Sequence, residues 1–110
     1  MKILIVLTSH SQLGNSEAKT GFWIEEFAAP YYIFKEAGAE IILASPNGGQ
    51  PPIDPKSDTP ENQTDATIRY KKDHDLLDLI ANTIKLENII SDDVTATLVK
   101  TIERPKGRLG

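Results

Sequence analysis

The chain opens on an unbroken apolar run, Ile3, Leu4, Ile5, Val6 and Leu7, with Lys2 before it and Thr8 after it. A short run of leucine and β-branched residues with no polar alternation predicts a strand covered on both faces, as in the middle of a parallel sheet. Ser9 to Lys19 then reads as a polar loop containing Gly14 and Asn15. From Thr20, a plausible N-cap, the pattern becomes helical: Trp23, Phe27, Tyr31 and Phe34 recur at spacings of four, four and three. Pro30 interrupts this helix, since it cannot donate to the carbonyl of Glu26, and a kink or break is expected there. Gly38 is placed to end it as the C′ residue. Ala39 to Ser45 is a second short buried strand, and a β-α-β order with a crossover of this length implies a parallel pair.

The remainder is more polar. Pro46 to Asp58 reads as a loop, semi-rigid where Pro51, Pro52 and Pro55 cluster. Thr59-Pro60 resembles an N-cap followed by a first-turn proline, but the segment up to Arg69 has few apolar anchors and predicts only weak helix. Asp73 to Asn82, with Leu76, Leu77, Leu79 and Ile80, predicts a firmer one. Ile84, Leu86 and Ile89 suit a short extended segment before a turn at Ser91-Asp92-Asp93. Val94 to Ile102 reads as a third main strand whose alternating threonines suit an edge. No repeat and no linker divides the chain.

With 110 residues the chain has material for one domain. A net charge of -4 argues against a nucleic-acid or anionic-membrane binder, although Lys100, Arg104, Lys106 and Arg108 make the tail basic. The apolar run at Ile3–Leu7 is too short for a signal peptide, and no stretch approaches the roughly 18 apolar residues of a membrane span. A cytoplasmic protein is expected. The sequence contains no cysteine, so it offers neither a disulfide framework nor a thiolate nucleophile.

Candidate chemistry is sparse. Gly14 and the pair Gly48-Gly49 lack the spacing of a phosphate-binding loop and read as turn residues. His10 and His74 are isolated, and Asp73-His74-Asp75 reads as a solvated helix start, so no metal is expected. Ser9 and Ser11 flank His10 without the strand-turn-helix elbow of a nucleophilic serine. Glu26 is the sharper candidate. At about 100° per residue it falls on the flank of the aromatic face, beside Phe22, Pro30 and Ile33, whereas Glu25 falls opposite, with Tyr32 and Glu36, towards expected solvent. A carboxylate bordering an apolar face can exchange protons; the alternative is a glutamate that merely reaches out to water, and local sequence favours that alternative.

Three stretches resemble one family. Lys2 to Ser9 is the first. Ala18-Lys19-Thr20-Gly21-Phe22-Trp23-Ile24-Glu25-Glu26-Phe27-Ala28-Ala29-Pro30 is the second. Ala37 to Asp58, including Ser45-Pro46-Asn47-Gly48-Gly49-Gln50-Pro51-Pro52, is the third. In this order they resemble the opening of ThiJ/PfpI proteins, in the glyoxalase III-like chaperone branch of the class I glutamine amidotransferase-like superfamily. The resemblance implies an α/β, partial flavodoxin-like fold, a short parallel sheet with flanking helices. It implies that residues 1–93 are the N-terminal part of such a domain and residues 94–110 a divergent strand and basic tail. Frameshift, a misjoined reading frame and divergence are each compatible with such a truncated chain.

The family's activity converts methylglyoxal, a reactive carbonyl, to lactate without glutathione, through a hemithioacetal on an elbow cysteine; some members are described as deglycases or as stress-response chaperones. Glu26 matches the family's catalytic glutamate, in the pattern Thr-Gly, four residues, Glu, three residues, Pro. That reverses the local reading of Glu26. The cysteine and its elbow are not in this chain, so the expectation is an inactive relative with no cofactor. The alternative is a non-catalytic, chaperone-like module that self-associates or pairs with a full-length relative.

Overall fold

The computed structural model describes residues 1–11 and 19–89, and residues 96–100 by their backbone alone. The Ser91–Asp93 turn, the Gly14-Asn15 loop and the basic tail from residue 101 lie outside the described residues.

Four strands form one parallel sheet in the order β3-β2-β1-β4. β1 (Lys2–Leu7) pairs with β2 (Glu40–Ser45) from Lys2↔Glu40 to Val6↔Ala44. On its other side β1 pairs with β4 (Ala96–Lys100) from Ile3↔Ala96 to Leu7↔Lys100. A strand with neighbours on both sides has every backbone group engaged, so only its two faces remain to be covered. Ile3, Ile5 and Leu7 join one apolar cluster, and Leu4 and Val6 join another with Ala44, Ile42 and Ile89. The unbroken hydrophobicity of β1 thus reflects burial on both faces. β4 begins at Ala96 and lies at the edge of the described sheet, in agreement with the strand expected across Val94–Ile102.

The helices pack on one of these faces. α1 (Ile24–Glu36), α2 (Asp65–Lys72) and α3 (His74–Ala81) all send residues into the cluster around Ile3, Ile5 and Leu7. Phe27 lies at its centre, fully buried, with ring centroids of Phe22, Tyr31 and Tyr70 at 5.7, 5.4 and 6.1 Å. α1 runs continuously through Pro30, so the proline does not break it. Tertiary burial of Phe27, Ala28, Tyr31 and Tyr32 outweighs one missing backbone bond. Its end follows the expected design: Gly38 takes φ 88°, its N–H donates to the Lys35 carbonyl at 3.0 Å, and the Ala39 N–H donates to the Phe34 carbonyl at 3.0 Å.

Three local expectations are corrected. Thr20 is not the N-cap of α1; the cap position belongs to Trp23, and Thr20 is buried in an extended segment whose N–H donates to the Ser11 carbonyl. The proline after Thr59 starts only a short 3-10 turn, Pro60–Asn62, and the helix proper begins after Thr64. There the Thr67 N–H donates to the Thr64 hydroxyl at 3.2 Å and the Thr64 N–H donates to the Thr67 hydroxyl at 2.7 Å, a capping box that supplies the missing helix signal. Finally, only Ile84–Lys85 is strand (β3), and Leu86–Asn88 turns away as 3-10 helix.

The displacement of the α1 start has a specific cause. The Phe22 N–H donates to the Pro52 carbonyl and the Asp54 N–H donates to the Phe22 carbonyl, both at 2.9 Å, which holds residues 20–22 extended against the loop after β2. The two backbones approach so closely that a Cβ on Gly21 would fall on the Pro52 carbonyl oxygen and 2.7 Å from the Ile53 nitrogen. Gly21→Ala is therefore expected to lower stability by about 1–3 kcal/mol, the range of overpacking strain, measured as the shift in the urea midpoint at unchanged slope. A neutral result would show that the two segments separate without cost.

Candidate functional site

In a parallel sheet the loops after the strands collect at its carboxyl edge, where open α/β folds build their sites. Here that rim is made by the segment after β1, the first turn of α1 and the loop after β2. The backbone N–H of Asn47 donates to the Ser9 hydroxyl at 3.0 Å, joining the two loops. Behind it, buried Ser45 and Thr83 share a hydroxyl–hydroxyl bond of 2.7 Å. The Thr83 hydroxyl also donates to the Gly49 carbonyl, so its single proton is committed there and Ser45 is the donor to Thr83. Isolated small polar residues give no periodic signal in the sequence, and this pair escaped the sequence reading.

The two neighbouring glutamates are placed differently from expectation. Glu25, expected in solvent, is half-buried and accepts a hydrogen bond from the Thr64 hydroxyl. Glu26 is exposed in the first turn of α1 at the rim of the sheet. The helical wheel grouped Glu25, Tyr32 and Glu36 correctly, and Glu36 is exposed as expected, but Glu25 and Tyr32 are not in open solvent. That face is covered by α2 and the α2–α3 junction. Tyr32 is buried, its hydroxyl donating to Asp73 at 2.8 Å, and the Arg69 guanidinium lies 3.9 Å above its ring while pairing with Glu36. A polar stripe facing a second polar helix cannot be told from a solvated one by periodicity alone. The opposite flank, with Glu26, exposed Ile33 and half-buried Pro30, is the more open side.

Asp73 is not the solvated residue the sequence suggested. It separates α2 from α3, and its carboxylate accepts from the Tyr32 hydroxyl and, at 3.1 Å, from the Leu76 N–H as the N-cap of α3. Burial pushes the Asp73 carboxyl up, but the two hydrogen bonds and the nearby Lys35 and Arg69 charges outweigh it and hold it below the usual carboxylate range. Burial, reinforced by the bond to Asp73, pushes the Tyr32 phenol up, and burial beside Asp58 pushes Tyr70 up to about 12. These phenols stay protonated at neutral pH and act in the structure as donors or apolar rings.

His10 and His74 are both exposed and on separate elements, and among the described residues no group of three His, Cys, Asp or Glu is placed to hold a metal ion. No helix among them is long and apolar enough to cross a membrane.

This arrangement is seen in solved structures. The crystal structure of Rapid Encystment Protein 24 kDa from Francisella tularensis matches with a TM-score of 0.82 at 31% identity, covering 92% of this chain and 44% of that one. The crystal structure of glyoxalase III from Candida albicans matches with a TM-score of 0.79 over 93% of this chain and 44% of that one; at 23% identity it speaks for the fold alone. The chain is a partial ThiJ/PfpI-like domain. It spans less than half the length of these two structures. No protein-family model and no curated protein matches it. This partial domain holds Glu26 on its rim and contains no cysteine.

The Asp73 junction yields a stability prediction. Because its folded-state carboxyl titrates below the unfolded value, its contribution is complete above about pH 4 and is lost as pH falls through the lower folded value. Asp73→Ala should cost about 0.5–2 kcal/mol at neutral pH, as for loss of an N-cap. The gap from the unsubstituted chain should narrow on acidification below the ordinary carboxylate range, followed by denaturant titration at several pH values. A gap independent of pH would remove Asp73 from this role.

Proposed function

We propose that this chain is the glutamate-bearing part of a glyoxalase III-like domain, with Glu26 in the position of the family's proton-transfer residue, and that on its own it does not convert methylglyoxal to lactate. The observation that carries this reading is the exposed carboxylate of Glu26 on the carboxyl rim of the sheet in a chain with no thiol. The family reaction starts when a thiolate adds to the aldehyde carbon to form a hemithioacetal; a proton then moves between adjacent carbons, and hydrolysis releases lactate. Every step is carried on sulfur. Glu26 can accept and return a proton, a contribution of about 10²–10⁴-fold in a complete site, but it cannot replace the covalent nucleophile.

Purified chain supplied with methylglyoxal is expected to yield lactate no faster than buffer, followed by enantiomer-specific lactate assay. Turnover that survives rigorous exclusion of added thiols and disappears in Glu26→Gln would overturn the reading.

A second reading is favoured by the exposed apolar residues at the β3 edge. Ile84 and Leu86 are 44% and 37% exposed, and β3 is the terminal strand on that side of the described sheet. An open strand edge flanked by apolar side chains attracts another chain. On this reading the molecule is a cytoplasmic, non-catalytic module of chaperone-like character that self-associates or pairs with a full-length relative. Light scattering on a size-exclusion column is expected to show species larger than a monomer that diminish in Ile84→Lys. A monodisperse monomer across a wide concentration range would exclude self-association.

A further inference from the structure

The turn that follows β2 carries a chemistry independent of Glu26. Of the five asparagines in the chain, Asn47 alone precedes a glycine. The Gly48 N–H donates to the Ser45 carbonyl at 3.2 Å, closing a β-turn with Pro46 and Asn47 at its centre. No described non-glycine residue has positive φ, so Asn47 has negative φ, and Gly48 follows at φ 72°. Asn47 is exposed, and its side-chain amide makes no hydrogen bond among the described residues; only its backbone N–H is held, by Ser9.

We propose that Asn47 is a site of spontaneous covalent modification by deamidation, gated by this turn. The Gly48 amide nitrogen, deprotonated by solvent base, attacks Cγ of Asn47. A new N–C bond closes a five-membered succinimide, and the bond from Cγ to the side-chain nitrogen breaks, releasing ammonia. Water then adds to either ring carbonyl, and cleavage of one ring C–N bond gives aspartate or isoaspartate at position 47. Water is the sole co-reactant, and no electron is transferred. Gly48 permits the attack because it places no Cβ beside the reacting nitrogen. The same nitrogen is engaged with Ser45 at the long end of the hydrogen-bond range, so the turn must open before reaction.

The product matters because of its location. Aspartate adds a carboxylate to the rim where the loops after β1 and β2 meet. Isoaspartate routes the main chain through one additional methylene, which displaces the Asn47–Ser9 bond and the paired bonds between Gly49 and Thr83.

The test is incubation of the full chain in mildly alkaline buffer made with oxygen-18 water, followed by peptide mapping with mass spectrometry. Asn47 is expected to convert before the other four asparagines with uptake of one heavy oxygen, and more slowly than in a free peptide spanning residues 44–50. In Asn47→Gln the label at this position should be lost. Ser9→Ala, which releases the turn without touching the reacting atoms, should quicken conversion at Asn47. Earlier conversion at another asparagine, or an unchanged Asn47 after the free peptide has fully reacted, would overturn the site; a rate unaffected by Ser9→Ala would overturn the gate.

Discussion

The contact on which the arrangement depends is between two backbones. Gly21 and Phe22 lie against Pro52, Ile53 and Asp54 with no room for a side chain between them, and two hydrogen bonds of 2.9 Å hold the segments together. This contact determines where α1 begins, because residues held extended by a neighbouring strand-like segment cannot enter the helix. It also determines where Glu26 lies, two residues into the helix that starts beyond it. Asp54 reinforces the loop from its other side, its buried carboxylate accepting the Lys56 N–H and its carbonyl accepting the Ser57 hydroxyl. The first helix and the loop after the second strand are thus one mechanical unit, though some 30 residues separate them in sequence.

Much of this was legible in the sequence where a single physical signal dominates. The apolar run of β1, the glycine that ends α1 and the leucine pattern of α3 each report burial or a backbone conformation that few residues tolerate. The starts of α1 and α2 were not legible for the opposite reason. Thr20 has the chemistry of an N-cap, but a long-range backbone pairing overrides it. Thr64 is the true cap of α2, yet its partner at the third helical position is threonine in place of the usual glutamate or glutamine. The resemblance conveyed by Thr20–Pro30 and Ala37–Asp58 was the strongest sequence signal, and the match to solved structures at TM-scores of 0.82 and 0.79 agrees with it.

The site was half legible. The resemblance singled out Glu26, and the structure shows it exposed in the first turn of α1. Its surroundings were misjudged because a helical wheel measures angle and says nothing about what lies opposite. The polar side of α1 meets Thr64, Arg69 and Asp73, so polarity there marks an interhelical contact. Asp73 shows the same lesson on a smaller scale: an aspartate between two short helices looks solvated until the Tyr32 hydroxyl, 41 positions earlier, is found bonded to it.

The unlike placement of Glu25 and Glu26 has an evolutionary consequence. One of these adjacent carboxylates is tied to Thr64 and helps seat α1 on α2; the other stands on the open rim. Drift at the first is restrained by folding in any lineage that retains these helices. Drift at the second is weighed in a different setting, the exposed first turn of α1. Neighbouring codons in this gene therefore specify carboxylates under different structural constraints, one between two helices and one at an exposed helix start.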